Sequence, residues 1–284
     1  MRLIRAAGLS RGPRGLYQAY PAPRLVTAAS PSQPLGGAAV TDDEGAALRY
    51  AVASEPGIYG PEFIRDAAYA GPHLLVVADG IQNMSSPDSP GKIAIGKLRH
   101  LDVSVDPANL TVSAENGLAG LRETFGRLLE GDPRWNGTGA VLTAMLWQDI
   151  HAVIAHVGDT RAYMLRGGEL TQLTHDHTIR QVLLDEGRIS PREPESDSAY
   201  SAITRWLGWL DGESSAPADV VVHEAALGDR YLLSTVGVHE AVSFEILRDC
   251  LRGAEGDPQA AVDRRMYDYY PGGKDTYSAG PAAR

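Results

Sequence analysis

The stretch Leu74-Leu75-Val76-Val77-Ala78, closed by Asp79-Gly80, constrains this chain more than any other. An unbroken apolar run of that length is a strand buried on both faces, because a half-exposed strand would alternate. Its end delivers a carboxylate, with a glycine beside it that leaves the backbone unshielded. Many α/β enzymes place a metal ligand in this way. An Asp-Gly turn also needs no chemistry at all, since both residues tolerate left-handed backbone.

Composition sets the remaining bounds. With 284 residues, 43% of them hydrophobic, the chain can bury a core as one large domain or two small ones. No apolar stretch approaches the roughly 18 residues of a membrane span, so no membrane role is expected. Arg and Gly interrupt Met1 to Gly8 too early for a signal peptide. The one cysteine, Cys250, excludes an internal disulfide and a Cys-rich zinc site, and reads as a small apolar helix residue. A cytoplasmic protein fits best. Residues 1–41 hold five arginines and no acidic side chain, so residues 42–284 carry all 36 acidic and 21 of the 26 basic groups, about −15. A body that acidic repels polyanions, which argues against nucleic acid as a partner. The Ala-, Pro-, Gly- and Ser-rich leader, residues 1–41, reads as a disordered tail. Its arginines would also suit an organellar transit peptide.

Order begins near Ala47 to Ser54, an alternating strand before a turn at Glu55-Pro56-Gly57. Ile58 to Ala68 is irregular, and Ile81 to Pro90 is a polar loop with two prolines. Leu118, Leu121, Phe125, Leu128 and Leu129 recur at helical spacing up to Gly131. Ala140 to Trp147 and His151 to Val157 form two antiparallel strands joined by a turn near Gln148-Asp149, and the chain turns again at Gly158-Asp159 into a third, Ala162 to Leu165. Gly167-Gly168 turns into Leu170 to Leu173. Asp176 is placed to cap a helix that buries Ile179, Val182 and Leu183 and stops at Gly187. Ser190 to Ser201 is a polar surface flap; strands at Val220 to His223 and Tyr231 to Leu233 flank the Gly228-Asp229 turn. Asp257 and Pro258 open a last helix.

The succession of these pieces resembles the metal-dependent protein phosphatases (the PPM family, protein phosphatase type 2C) in their bacterial single-domain form. Leu75 to Gly80 is similar to that family's Val-Ala-Asp-Gly strand, and Gly137-Thr138-Gly139-Ala140 to its Gly-Thr-Thr-Ala segment. Ala155 to Tyr163 is close to its His-Val-Gly-Asp-Ser-Arg-Ala-Tyr hairpin, and Leu173 to Thr178 to its Leu-Thr-x-Asp-His-Thr helix start. Gly187 to Ile189, Thr204 to Gly208 and Gly228 to Leu233 follow in the same order. The resemblance covers about residues 47–276, leaving 277–284 as a short irregular tail. It implies an α+β fold, a four-layer α-β-β-α sandwich of two antiparallel sheets flanked by helices.

The resemblance also implies a centre of two Mg²⁺ or Mn²⁺ ions that hydrolyses phosphoserine or phosphothreonine, and here the residues depart from the pattern. Asp79 and Gly80 keep the bridging carboxylate and neighbouring carbonyl, and Asp275 keeps a terminal aspartate. Asp66 remains nearby, and Asp159 corresponds to a ligand of an optional third ion, although a turn aspartate needs no metal. Arg65 stands where the family has a glutamate ligand, Val236 where it has an aspartate, and Pro61 where an arginine grips phosphate. Like charges ~4 Å apart cost about 4 kcal/mol at an effective dielectric near 20, so Arg65 beside few carboxylates opposes a two-ion cluster. Arg65 is instead expected to pair with Asp79 or Asp66. No residue is assigned a catalytic role, and the histidines His151, His156, His175 and His177 form no defensible nucleophilic triad. Two functions stand. One is a catalytically inactive or strongly impaired pseudophosphatase that binds a phosphoprotein or Ser/Thr protein kinase through the Ser190 to Ser201 flap. The other is an active Mg²⁺- or Mn²⁺-dependent phosphatase using a reduced ligand set, with Glu62 recruited.

Overall fold

The computed structural model describes residues 24–29, 49–54, 66–81, 89–191, 200–210, 213–214, 217–240 and 242–253. In chain order the strands are β1 (Arg24–Ala29), β2 (Arg49–Ser54), β3 (Ala67–Ala70), β4 (Leu74–Ile81), β5 (Gly139–Gln148), β6 (His151–Val157), β7 (Arg161–Arg166), β8 (Glu169–Gln172), β9 (Leu207–Leu210), β10 (Glu213–Ser214), β11 (Asp219–Glu224) and β12 (Arg230–Ser234). The helices are α1 (Pro90–Leu98), α2 (Leu110–Gly131), α3 (Ile179–Asp185), α4 (Val236–His239) and α5 (Phe244–Gly253).

Two antiparallel sheets result. One runs β2-β1-β12-β7-β8. The other runs β3-β4-β5 and then forks, because β5 pairs with β9 at Gly139 and Ala140 and with β6 from Leu142 to Gln148. β10 extends the first prong and β11 the second.

Side-chain alternation explains how the sheets stack. On β4, Leu74, Val76 and Ala78 join Leu142, Ala144 and Leu146 of β5 against Ile95, Leu98, Leu118, Leu121 and Phe125 of α1 and α2. The other face of the same strands presents Leu75, Val77, Met145 and Trp147 to Ala162, Met164, Tyr231 and Leu233 of the opposing sheet. Beyond that sheet, Tyr163, Leu165 and Leu232 pack against Leu247 and Leu251 of α5. The expected four layers, helix, sheet, sheet and helix, are therefore present, and β4 is buried on both faces as its sequence demands. Each fully buried Leu, Val or Phe contributes roughly 1.5–3 kcal/mol of transfer free energy, which makes this double burial the main stabilising term.

One ion pair braces the passage between the sheets. Asp229, 1% exposed, accepts from Arg166 Nε (2.8 Å) and Nη2 (2.6 Å), from the Ala226 N–H (2.7 Å) and from the Tyr231 hydroxyl (2.9 Å). Burial opposes ionisation there, but those donors outweigh it and hold the carboxyl below the usual range.

Several expectations need correction. Strand β1 lies inside the leader read as disordered; the ladder partners it finds in β2 and β12 are distant in sequence, so no local signal marks it. The ordered domain thus reaches back to Arg24, and the remaining leader and the 277–284 tail lie outside the described residues. Ile81 ends β4 and Pro90 opens α1, where a missing N–H costs nothing, so the proline-marked loop is shorter than expected. α2 begins at Leu110, well before its most periodic apolar positions. The cap of α3 is Thr178, whose Oγ1 accepts from the Gln181 N–H; Asp176 is engaged elsewhere. Ile179 and Val182 are exposed rather than buried. Gly158-Asp159 does not close a hairpin, since β6 and β7 belong to different sheets. The Asp257–Pro258 helix start falls outside the described residues.

Because β1 is bonded on both edges, Thr27→Pro removes a ladder donor from an interior strand. It should cost about 3 kcal/mol or more, read as a lowered urea midpoint. An unchanged midpoint would show that β1 contributes nothing to the fold.

Candidate functional site

The polar groups gather at one rim of the sandwich, where β4 ends. In the β3–β4 ladder Ala67 stands opposite Ala78, and continuing that register by one residue brings Asp66 opposite Asp79. Directly opposed residues share a face. Asp79 also shares its face with Leu75 and Val77, which look towards the five-stranded sheet, and it is half-buried while Gly80 is buried. From that sheet comes Thr235, just after β12. Its Oγ1 donates to Asp66 Oδ2 at 2.8 Å, and both residues are fully buried. Val236, next along, is the first residue of α4, and its side chain offers no oxygen.

Asp159 approaches the rim from the β6–β7 crossover. Gly158 makes the approach feasible: its φ of +101° is left-handed, and a Cβ there would collide with the Val141 side chain. Burial, then the nearby charge of Asp79, then that of Asp176, push the Asp159 carboxyl up to about 7. Its Oδ1 has no hydrogen-bond partner among the described residues. Asp176 is better served. Arg161 meets it with Nε at 3.0 Å from both oxygens and Nη2 at 2.6 Å, and Gln172 Nε2 adds a bond of 3.1 Å.

Two buried histidines support the crossover. The His156 ring lies 4.8 Å from that of His177. Nε2 of His156 donates to the His175 carbonyl at 3.0 Å, while Nδ1 accepts from Thr143 Oγ1, which also meets Thr160 Oγ1 at 2.7 Å. Burial, reinforced by His177, holds His156 down at about 3, so the ring stays neutral. His177 accepts the Gly158 N–H at Nδ1 (3.0 Å), leaving Nε2 to donate to Asp219 Oδ2 (3.0 Å). Burial lowers its pKa as well. Neither ring is free to act as a nucleophile's base.

Of the expected site residues, the structure brings Asp79, Gly80, Asp66 and Asp159 to one rim, and places Val236 one residue from Asp66's partner. Arg65, Pro61, Glu62 and Asp275 lie outside the described residues, as does the 192–199 part of the flap. The functional roles of Thr235, Asp219 and Arg205 were not read from the sequence. They depend on pairings such as Thr235 with Asp66 that only the closed sandwich creates.

The donors suit Mg²⁺ or Mn²⁺ in kind, being hard oxygens, but not in number. Among the described residues no group of three or more His, Cys, Asp or Glu side chains is close enough to hold a metal ion. The described residues therefore do not fit a two-ion centre.

Comparison with known proteins gives the class of this two-sheet sandwich. The protein phosphatase 2C family profile matches residues 115–186. The serine/threonine protein phosphatase PstP of Mycobacterium tuberculosis is 36% identical over 205 residues, 72% of this chain and 39% of that protein. Protein phosphatase PhpP of Streptococcus pneumoniae is 29% identical over 192 residues, 63% of this chain and 73% of that one. The crystal structure of M. tuberculosis PstP superposes with a TM-score of 0.64 at 29% identity, covering 84% of this chain and 88% of the other. The catalytic domain of PstP in complex with two manganese ions gives 0.62 at 27% identity, covering 87% and 94%. The chain belongs to the PPM, or protein phosphatase 2C, family. It spans about 39% of the length of PstP.

The raised pKa of Asp159 has a definite sign. Its ordinary value is 3.8, so the fold bears no penalty below about pH 4 and an increasing one as pH rises towards 7. Asp159→Asn should therefore stabilise the metal-free protein at pH 8 by up to about 4 kcal/mol, and have almost no effect at pH 4. Urea denaturation at the two pH values checks this; an equal effect at both would exclude a strained carboxylate.

Proposed function

We propose that this chain is a PPM-type phosphatase homologue with most of its binuclear metal centre lost. On this reading it hydrolyses phosphoserine or phosphothreonine weakly or not at all, and acts by binding a phosphoprotein or a Ser/Thr protein kinase. The observation that carries the proposal is Val236: it opens α4 directly after Thr235, the partner of Asp66, and its side chain has no ligating atom where the resemblance implies an aspartate. Phosphoryl transfer depends on positioning and on neutralising charge, and neither is available without ions or a phosphate-gripping arginine.

One observation favours the second reading, an active Mg²⁺- or Mn²⁺-dependent enzyme with fewer ligands. Asp159 sits near Asp79 with its carboxyl pushed up to about 7, as expected of acidic groups that lack a cation. On that reading Asp79, the Gly80 carbonyl and Asp159 would hold one ion, with Glu62 and Asp275 as further candidates.

Two measurements separate them. Calorimetric titration with Mn²⁺ should show no tight site, and hydrolysis of p-nitrophenyl phosphate or a phosphothreonine peptide in millimolar Mn²⁺ should run at least about 1000-fold below PstP. Ordinary turnover that disappears in Asp79→Asn would overturn the proposal and establish the second reading.

A further inference from the structure

The geometry points to His177 as a positioning residue that couples the surface ion pair Arg205–Asp219 to the buried turn carrying Asp159. The inference rests on contacts alone and is independent of the functional reading above.

Every polar group of His177 is committed, and each commitment reaches a different segment. Its backbone N–H donates to the Gly158 carbonyl at 2.7 Å, and its Nδ1 accepts the Gly158 N–H at 3.0 Å. The crossover glycine is thus held from both sides by one residue. The His177 carbonyl accepts from the Thr204 N–H at 2.8 Å. Its Nε2 donates to Asp219 Oδ2, and Asp219 Oδ1 accepts from Arg205 Nη1 at 2.8 Å. The chain after His177 is tied to the same segment, since Thr178 bridges Ile203, Ile179 N–H donates to Ala202, and Arg180 N–H donates to Tyr200. Residues 200–205 consequently cannot shift without disturbing His177.

Exposure sets the direction of the coupling. The side chain of His177 is 3% exposed, whereas those of Arg205 and Asp219 are 38% and 44% exposed. The ion pair is accessible at the surface and its consequence is buried. Loosening the His177 ring therefore lets the turn, and the Asp159 carboxylate with it, leave its position. An anionic group on a partner, a carboxylate or a phosphate, that draws Arg205 away from Asp219 would produce this effect from outside.

Hydrogen–deuterium exchange with mass spectrometry on the full chain tests the coupling. The side chains of Asp219 and Arg205 hydrogen-bond to His177 and to each other rather than to residues 157–161, yet Asp219→Ala and Arg205→Ala should both speed exchange there by about tenfold, the loss of one buried hydrogen bond's support. Exchange across 74–80 should not change. His177→Gln keeps a donor towards Asp219 but loses the acceptor for Gly158, and should exchange fastest. His177→Asn keeps an acceptor at the Nδ1 position but loses the link to Asp219, so it should match Asp219→Ala at about tenfold above the parent and stay slower than His177→Gln. Asp185→Ala, which breaks the exposed bonds of Asp185 to His175 and Gln181, is the control and should leave 157–161 unchanged. The inference is overturned if Asp219→Ala and Arg205→Ala leave 157–161 at the parent rate. It is also overturned if 74–80 accelerates equally, or if His177→Asn is as fast as His177→Gln.

Discussion

The structure depends on β4 and β5 being covered on both faces. A strand with one wet face needs a single partner layer, whereas these two require helices on one side and a second sheet on the other. Once that is met, the polar chemistry has only the rim, where the strands run out of apolar residues. Asp79 ends β4 there, and Thr143 and His156 sit on the inner face of their strands at the same end, bonded to each other and to the Asp159 crossover. Water is excluded from most of this region, so each group requires a partner from the protein itself.

The rim answers that requirement unevenly. Two carboxylates there are met by guanidinium groups: Asp176 by Arg161, and Asp219 by Arg205. Asp66 takes a neutral hydroxyl, which satisfies a lone pair without supplying charge. Asp159 receives nothing at Oδ1 from the described residues, and its ionisation is correspondingly disfavoured. Structural ion pairs and an electrostatically strained corner are thus found within one shell. The strained corner is where chemistry or ligand recognition would be sought in a protein of this fold.

What was legible in the sequence follows the range of the interactions involved. The Leu74 to Ala78 run announced its own burial, and the Asp149 turn and Gly167-Gly168 turn marked two connections, since each is decided by adjacent residues. The acidic rim was readable through Asp79, Asp66 and Asp159, because a motif order resembling a known family marked them. The helix α3 misled: Ile179 and Val182 have helical spacing, but the tertiary partner that spacing implies is missing among the described residues. Asp176 looked like a cap because it precedes a helix; the stronger attraction of a two-pronged guanidinium from Arg161 took it instead. Thr235 was invisible as a partner of Asp66, since nothing local in either segment refers to the other.

Strand β1 carries a kinetic consequence. Leu25 is paired with Ser234, so the first described strand completes its ladder only when β12 exists, roughly 200 residues later. At ordinary synthesis rates of about 5–20 residues per second, the nascent chain offers β1 to the surroundings for roughly 10–40 s before its neighbour emerges. During that interval β1 can pair with β2 on one edge while the other stays open, a template for any passing strand. A chain built this way gains from slow dilution or chaperone cover during its birth. Its sheet is sealed by the meeting of its two ends.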